Sequence, residues 1–152
     1  TMAEWFVEGM LDALLDHANP FARQLLQDAV FYVVPNMNPD GSVRGNLRTN
    51  AAGANLTREW MTPTMERSPE VFVVKNKMHE VGCDLFLDIH GDEGLPYVFM
   101  AGSDALENFT PAQKAEQERF IADFKVASPD FQNDVGYPHG PCTLEVLNRG
   151  PP

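Results

Sequence analysis

The sequence predicts an α/β fold, and three observations carry that reading. Stretches with apolar residues three and four apart, bounded by helix-start and helix-stop residues, alternate with short continuous runs of apolar, β-branched and aromatic residues. Strong turn residues separate the two kinds of segment. Apolar residues make up 43% of the 152 and charged residues 22%, proportions that supply a core and exclude an intrinsically disordered chain. A chain of this length fits one domain.

Taken in order, Thr1-Met2-Ala3-Glu4 has the form of a capping box. Trp5, Phe6, Met10, Leu14 and Leu15 then follow at helical spacing, which predicts an amphipathic helix to about His17, stopped by Asn19-Pro20. A second short helix is expected over 21–28. Ala29 to Val34 is an unbroken apolar run, the pattern of a strand buried on both faces. Asn38-Pro39-Asp40-Gly41 reads as a tight turn, with Pro fixing φ and Gly free to take positive φ. From Ser42 to Thr64 neither period holds, so a long loop is expected, and such loops inside compact domains tend to carry function. Ser68-Pro69-Glu70 supplies an N-cap, a proline at the first helical position and an acid in the first turn of a helix that stops at Gly82. Cys83 to Ile89 reads as another strand, Tyr97 to Ala101 as a third, and Pro111 to Val126 as a last helix. The segment 138–152 holds four prolines and no convincing element, so residues 1–137 are read as the domain and 138–152 as a Pro/Gly-rich tail.

Charge and motif content narrow the function. A net charge of −11 and a pI near 4.6 argue against bulk nucleic-acid binding. The longest apolar run, 29–35, is far below the roughly 20 residues of a membrane helix, so no membrane association is expected. No secretory leader is visible, and Cys83 and Cys142 form no CxxC, which makes a reducing cytoplasm the expected compartment. The two glycosylation-type triplets at Asn55 and Asn108 are read as chance matches in that setting. Nucleophile elbow, phosphate loop and two-histidine zinc-helix motifs are all missing from the sequence.

Two features could carry chemistry. Residues 41–67 hold Arg44, Arg48, Arg58 and Arg67 against only Glu59 and Glu66, a local charge of +2 with no lysine before Lys75. Guanidinium groups grip carboxylate or phosphate through two parallel hydrogen bonds, so the cluster is a candidate anion site as well as an ordinary solvated loop. His90 stands at the carboxyl end of the second expected strand, where ligand sites gather in open α/β sheets, and neutral imidazole there could ligate a metal. His90 and Glu93 spell H-x-x-E, but four residues match easily by chance and no third ligand lies nearby. His17 and His79 read as surface residues, and His139 falls in the tail.

Read together, Asn38-Pro39-Asp40-Gly41, Gly45-Asn46-Leu47-Arg48, Leu56-Thr57-Arg58 and Asp88-Ile89-His90-Gly91 resemble the zinc metallocarboxypeptidase family, most closely its cytosolic carboxypeptidase-like branch. The likeness extends from Thr1 to about Tyr137. It implies an α/β fold with a partial mixed β-sheet flanked by helices, and a single Zn2+ in the intact domain. It implies His90 as a zinc ligand, Arg48 as the group that polarises the scissile carbonyl and stabilises the oxyanion, and Arg58 as anchor of the substrate's terminal carboxylate. Thr57 stands where the family has Asn, and a hydroxyl donates without the amide's geometry. The implied partner is a peptide or protein C-terminus, and the implied reaction is release of C-terminal residues by zinc-activated water. The family's H-x-x-E is expected just before Thr1, which makes the chain a piece of a larger catalytic domain. The general-base Glu of a late strand is weakly matched by Glu145 in the tail. Two readings of other classes stay open: a non-catalytic module that binds C-terminal carboxylates, or a phosphate-binding module, both using Arg44, Arg48 and Arg58.

Overall fold

The computed structural model describes residues 2–92, 94–103 and 108–133. Contacts divide the chain into two units, Thr1–Gly91 and Asp92–Pro152. The expected tail at 138–152, with His139, Cys142 and Glu145, lies outside the described residues, as does Glu93.

The first unit opens with α1, Met2–Leu15, and α2, Pro20–Asp28, which pack on each other. Asn19 caps α2 through a carboxamide oxygen that accepts from the amides of Phe21 and Ala22, and Pro20 occupies the first turn. The inward stripe of α1 is Ala3, Val7, Met10, Leu11 and Leu14, whereas Trp5 and Leu15 are exposed. Periodicity found the helix but not its buried face, because two overlapping three-four stripes were available and only packing chooses between them.

Asn38-Pro39-Asp40-Gly41 does not form the expected tight turn. It starts a short helix, α3, Pro39–Arg44, with Asn38 as N-cap and Gly45 closing it in the left-handed conformation at φ 73°. Asn, Pro and Asp in that order satisfy the first turn of a helix as well as they satisfy a β-turn, and the hydrogen bond from Gly41 N to Asn38 Oδ1 decides for the helix. A single 3-10 turn, Leu56–Arg58, interrupts the long loop. Next comes α4, Pro69–Val81, ended by Gly82 as the sequence predicts. Ser68 stands at its N-cap position, but its Oγ accepts from Thr64 N at 3.3 Å instead of from the helix.

The buried centre of this unit is small: Ala22, Ala54, Leu56 and Val71, with Asn50 and Ser68 as its polar members. The runs 29–34 and 83–89 correct an expectation. Neither forms a strand ladder among the described residues, and Val30 at 79% and Leu85 at 65% relative exposure are far from buried on both faces. A strand exists only through ladder hydrogen bonds to a neighbour, and among the described residues neither run makes them. The expected mixed sheet is therefore not formed among the described residues, where β pairing is limited to two isolated bridges.

One of those bridges lies in the second unit, where Val98 pairs in parallel with Phe131. The third expected strand is thus reduced to a single bridge, with Gln132 N donating to Val98 O at 2.9 Å. Helix α5, Pro111–Ala127, begins with a complete capping box between Thr110 and Gln113. Phe120, Phe124 and Phe131 form a ring cluster, with the last two centroids 4.6 Å apart.

Candidate functional site

The loop between α3 and α4 is built by asparagines. Asn38 uses both ends of its carboxamide: Oδ1 caps α3, and Nδ2 donates to Thr49 O at 3.0 Å. Asn46 Nδ2 donates to the same carbonyl at 3.1 Å. Thr49 therefore holds its place, and with it Arg48 one residue earlier. Gly41 is buried beneath this junction: a Cβ there would strike the Asn38 side chain and stand 2.6 Å from Thr49 O. The requirement for glycine at this position is one of close approach.

Thr49 also forms an antiparallel bridge to Asn55, which brings the segment ending at Arg48 beside the one leading into the Leu56–Arg58 turn. Arg48, Thr57 and Arg58 are all exposed. Beyond Arg58, Lys75 of α4 donates to the carbonyls of Trp60 at 2.9 Å and Met61 at 3.2 Å. Trp60 meets Phe86 edge to face at 5.6 Å, tying this loop to the segment that ends at His90.

The four loop arginines do not act alike. Arg67 Nε donates to both carboxylate oxygens of Glu59, at 3.0 and 3.1 Å, so its charge is already answered. Among the described residues no carboxylate pairs with Arg44, Arg48 or Arg58. The anion-binding potential of the loop narrows to these three.

His90 is half-exposed, and its Nε2 lies 3.0 Å from Asp88 Oδ1. The hydrogen bond to Asp88 holds the imidazole pKa above its ordinary value. Partial burial opposes that shift, and so does the positive charge of Arg48. The guanidinium of Arg48 thus lies within electrostatic reach of the His90 ring. The two expected site residues, 42 positions apart in sequence, are therefore linked by a long-range charge effect and not by a direct hydrogen bond or ion pair. Thr57 and Arg58 make no hydrogen bond or ion pair with His90, and these two belong to the arginine loop.

With Nε2 engaged by Asp88, Nδ1 is the ring atom open to a metal, and a carboxylate behind a histidine is the usual orienting partner of a ligating imidazole. His90 therefore fits zinc as one ligand. Among the described residues no three His, Cys, Asp or Glu side chains group closely enough to hold an ion. Among the described residues His90 supplies one oriented nitrogen.

Sequence reasoning missed Asp88, Asn38 and Asn50 as working parts. An Asp two residues before a strand-end histidine, and Asn ahead of Pro or ahead of a Gly-containing turn, were the available signals.

Comparison with known proteins supplies the family. Residues 1–117 match the zinc carboxypeptidase family, Peptidase M14. An uncharacterized protein of Zymomonas mobilis is 51% identical over 137 residues, covering 90% of this chain and 36% of that protein. Cytosolic carboxypeptidase 1 of Gallus gallus is 28% identical over 142 residues, covering 90% of this chain and 11% of its own length. The crystal structure of a metallo-carboxypeptidase from Burkholderia cenocepacia superposes with a TM-score of 0.88 at 60% identity, covering 91% of this chain and 38% of that one. The chain thus spans about a third of the length of its bacterial relatives. On the family match and these likenesses, the chain belongs to the zinc carboxypeptidases of the Peptidase M14 family.

Proposed function

We propose that this chain carries the substrate-gripping loop and one zinc ligand of a metallocarboxypeptidase that releases C-terminal residues from peptides or proteins. The observation that carries the reading is the contact of Asp88 Oδ1 with His90 Nε2 at 3.0 Å, which orients the imidazole as a metal ligand would need, on a ring whose charge Arg48 also influences. Arg58 takes the substrate's terminal carboxylate through two parallel hydrogen bonds, and Thr57 Oγ1 adds a single donor where an amide would add a directed pair. Arg48 donates to the scissile carbonyl oxygen and keeps donating as negative charge grows on it, a preorganised contact typically worth about 3 kcal/mol in such sites. Asp88 holds the His90 ring against rotation. A zinc ion held in part by His90 would supply a water of lowered pKa at neutral pH.

The relatives' cytosolic names support a cytoplasmic setting, and no described helix is long and apolar enough to cross a membrane. A peptide substrate accords with the carboxypeptidase names of the relatives.

Peptides that differ only in a free or amidated C-terminus test the proposal. The chain should bind the free acid and lose that preference in Arg58→Ala. A chain extended to the length of its relatives should release the terminal residue only with zinc present. Equal binding of acid and amide would overturn the reading. Competition by inorganic phosphate at the arginines, with chelation of zinc having no effect on the extended chain, would favour a phosphate-binding module instead.

A further inference from the structure

Asn50 is a polar residue at the centre of the first unit, only 3% exposed. Burying a carboxamide is unfavourable unless every donor and acceptor is met. Here each one is. Oδ1 accepts from the amides of Ala52 and Ala54, both at 3.0 Å. Nδ2 donates to Arg67 O at 2.9 Å and to Glu70 Oε2 at 3.1 Å. The main chain adds Asn50 N to Ala54 O at 3.0 Å and Gly53 N to Asn50 O at 3.1 Å. One side chain therefore closes the 50–54 turn and fastens it to the first turn of α4.

The placement of that knot matters. Arg48 lies two residues before it, and the Leu56–Arg58 turn begins two residues after Ala54. Gly53, at φ 76°, gives the turn the left-handed residue it needs. Arg48 and Arg58 stand on either side of this turn in an exposed loop, so the turn sets where their backbone attachment points lie. We propose that Asn50, with Glu70 as its acceptor on α4, is the positioning residue that fixes the separation of Arg48 and Arg58. A carboxylate and the neighbouring carbonyl can then be gripped at once. The inference rests on the roles given above to Arg48 and Arg58.

The test uses the full chain and N-acetyl-trialanine as free acid and as amide, with binding measured by titration calorimetry. Hydrogen exchange at the Ala52 and Ala54 amides is followed alongside. Asn50→Asp replaces the donor facing Glu70 and the Arg67 carbonyl with an acceptor. It should lower the preference for acid over amide at least about fivefold, the scale of one lost charge-assisted contact. The double variant Asn50→Asp/Glu70→Gln returns a donor to the pair from the α4 side, and it should recover part of the preference. Should Asn50→Asp fail to fold, Glu70→Ala, which removes only one acceptor, should still reduce the preference while Arg58 is intact. A folded Asn50→Asp or Glu70→Ala that keeps the wild-type preference would overturn the positioning role and leave the carboxylate reading standing. A wild-type chain with no preference at all would overturn that reading, and this inference with it.

Discussion

Asn38→Ala is the perturbation whose cost follows most directly from the structure. The asparagine does two separable things: its oxygen caps α3 at Gly41 N, and its nitrogen holds Thr49 O, both at 3.0 Å. Losing an asparagine N-cap to alanine costs about 1 kcal/mol. Losing the second bond costs about 1 kcal/mol more, without a further penalty, because Asn46 Nδ2 still serves the Thr49 carbonyl. The sum of about 2 kcal/mol should lower the melting temperature by roughly 4–8 °C for a chain of this size. It should also move the urea midpoint with an unchanged slope. Asn38→Asp keeps the capping oxygen and removes the donor, so it should lose about half as much. Joining Asn46→Ala to Asn38→Ala strips Thr49 O of both side-chain donors. The pair should then cost about 1 kcal/mol more than the sum of the single variants. Denaturation followed by circular dichroism reads all four. An Asn38→Ala chain within about 0.5 kcal/mol of wild type, or strict additivity in the double variant, would refute the reasoning.

Three further outcomes follow from the same geometry. Gly41→Ala should be among the most damaging single-methyl additions in the first unit, since the new Cβ meets the Asn38 side chain and the rigid Thr49 carbonyl oxygen at 2.6 Å; a loss below about 1 kcal/mol in urea denaturation would count against that close approach. Arg67→Ala should leave the preference for a free C-terminus unchanged, because Glu59 already holds that guanidinium, whereas Arg58→Ala should abolish it; calorimetric titration with acid and amide peptides separates the two. The raised pKa of His90 comes chiefly from its hydrogen bond to Asp88, so that link contributes stability fully present below the unfolded value of about 6.5 and lost as pH rises through the higher folded value. The melting-temperature gap between wild type and Asp88→Asn should therefore be largest near pH 5 and shrink toward alkaline pH, and a gap constant across that range would contradict the assignment.

Local chemistry made much of the helical framework legible. Ser68-Pro69 announces a helix start and Gly82 a stop, because capping and proline geometry depend only on residues within one turn, whereas Asn19-Pro20, read as the stop of the first helix, turns out to cap the second. The same signals were ambiguous at Asn38-Pro39-Asp40-Gly41, where helix N-cap and turn share the residues and a bond from Gly41 N chose between them. The strands were not legible in this way. The apolar runs at 29–34 and 83–89 have the composition of buried strands, yet a ladder is made by a neighbour and not by a run.

The site divides along the same line. Which residue types could grip an anion or a metal was written in the spacing of Arg44, Arg48 and Arg58 and in the setting of His90. Those are properties of side-chain chemistry and chain order. Only the tertiary structure decided that Arg67 belongs to Glu59, that Arg48 reaches the field of His90, and that Asp88 holds the ring. It also decided that one buried asparagine ties the arginine loop to α4. Each of these is a contact across intervening chain, settled by which groups folding brings within a few ångströms, and no local pattern encodes that distance.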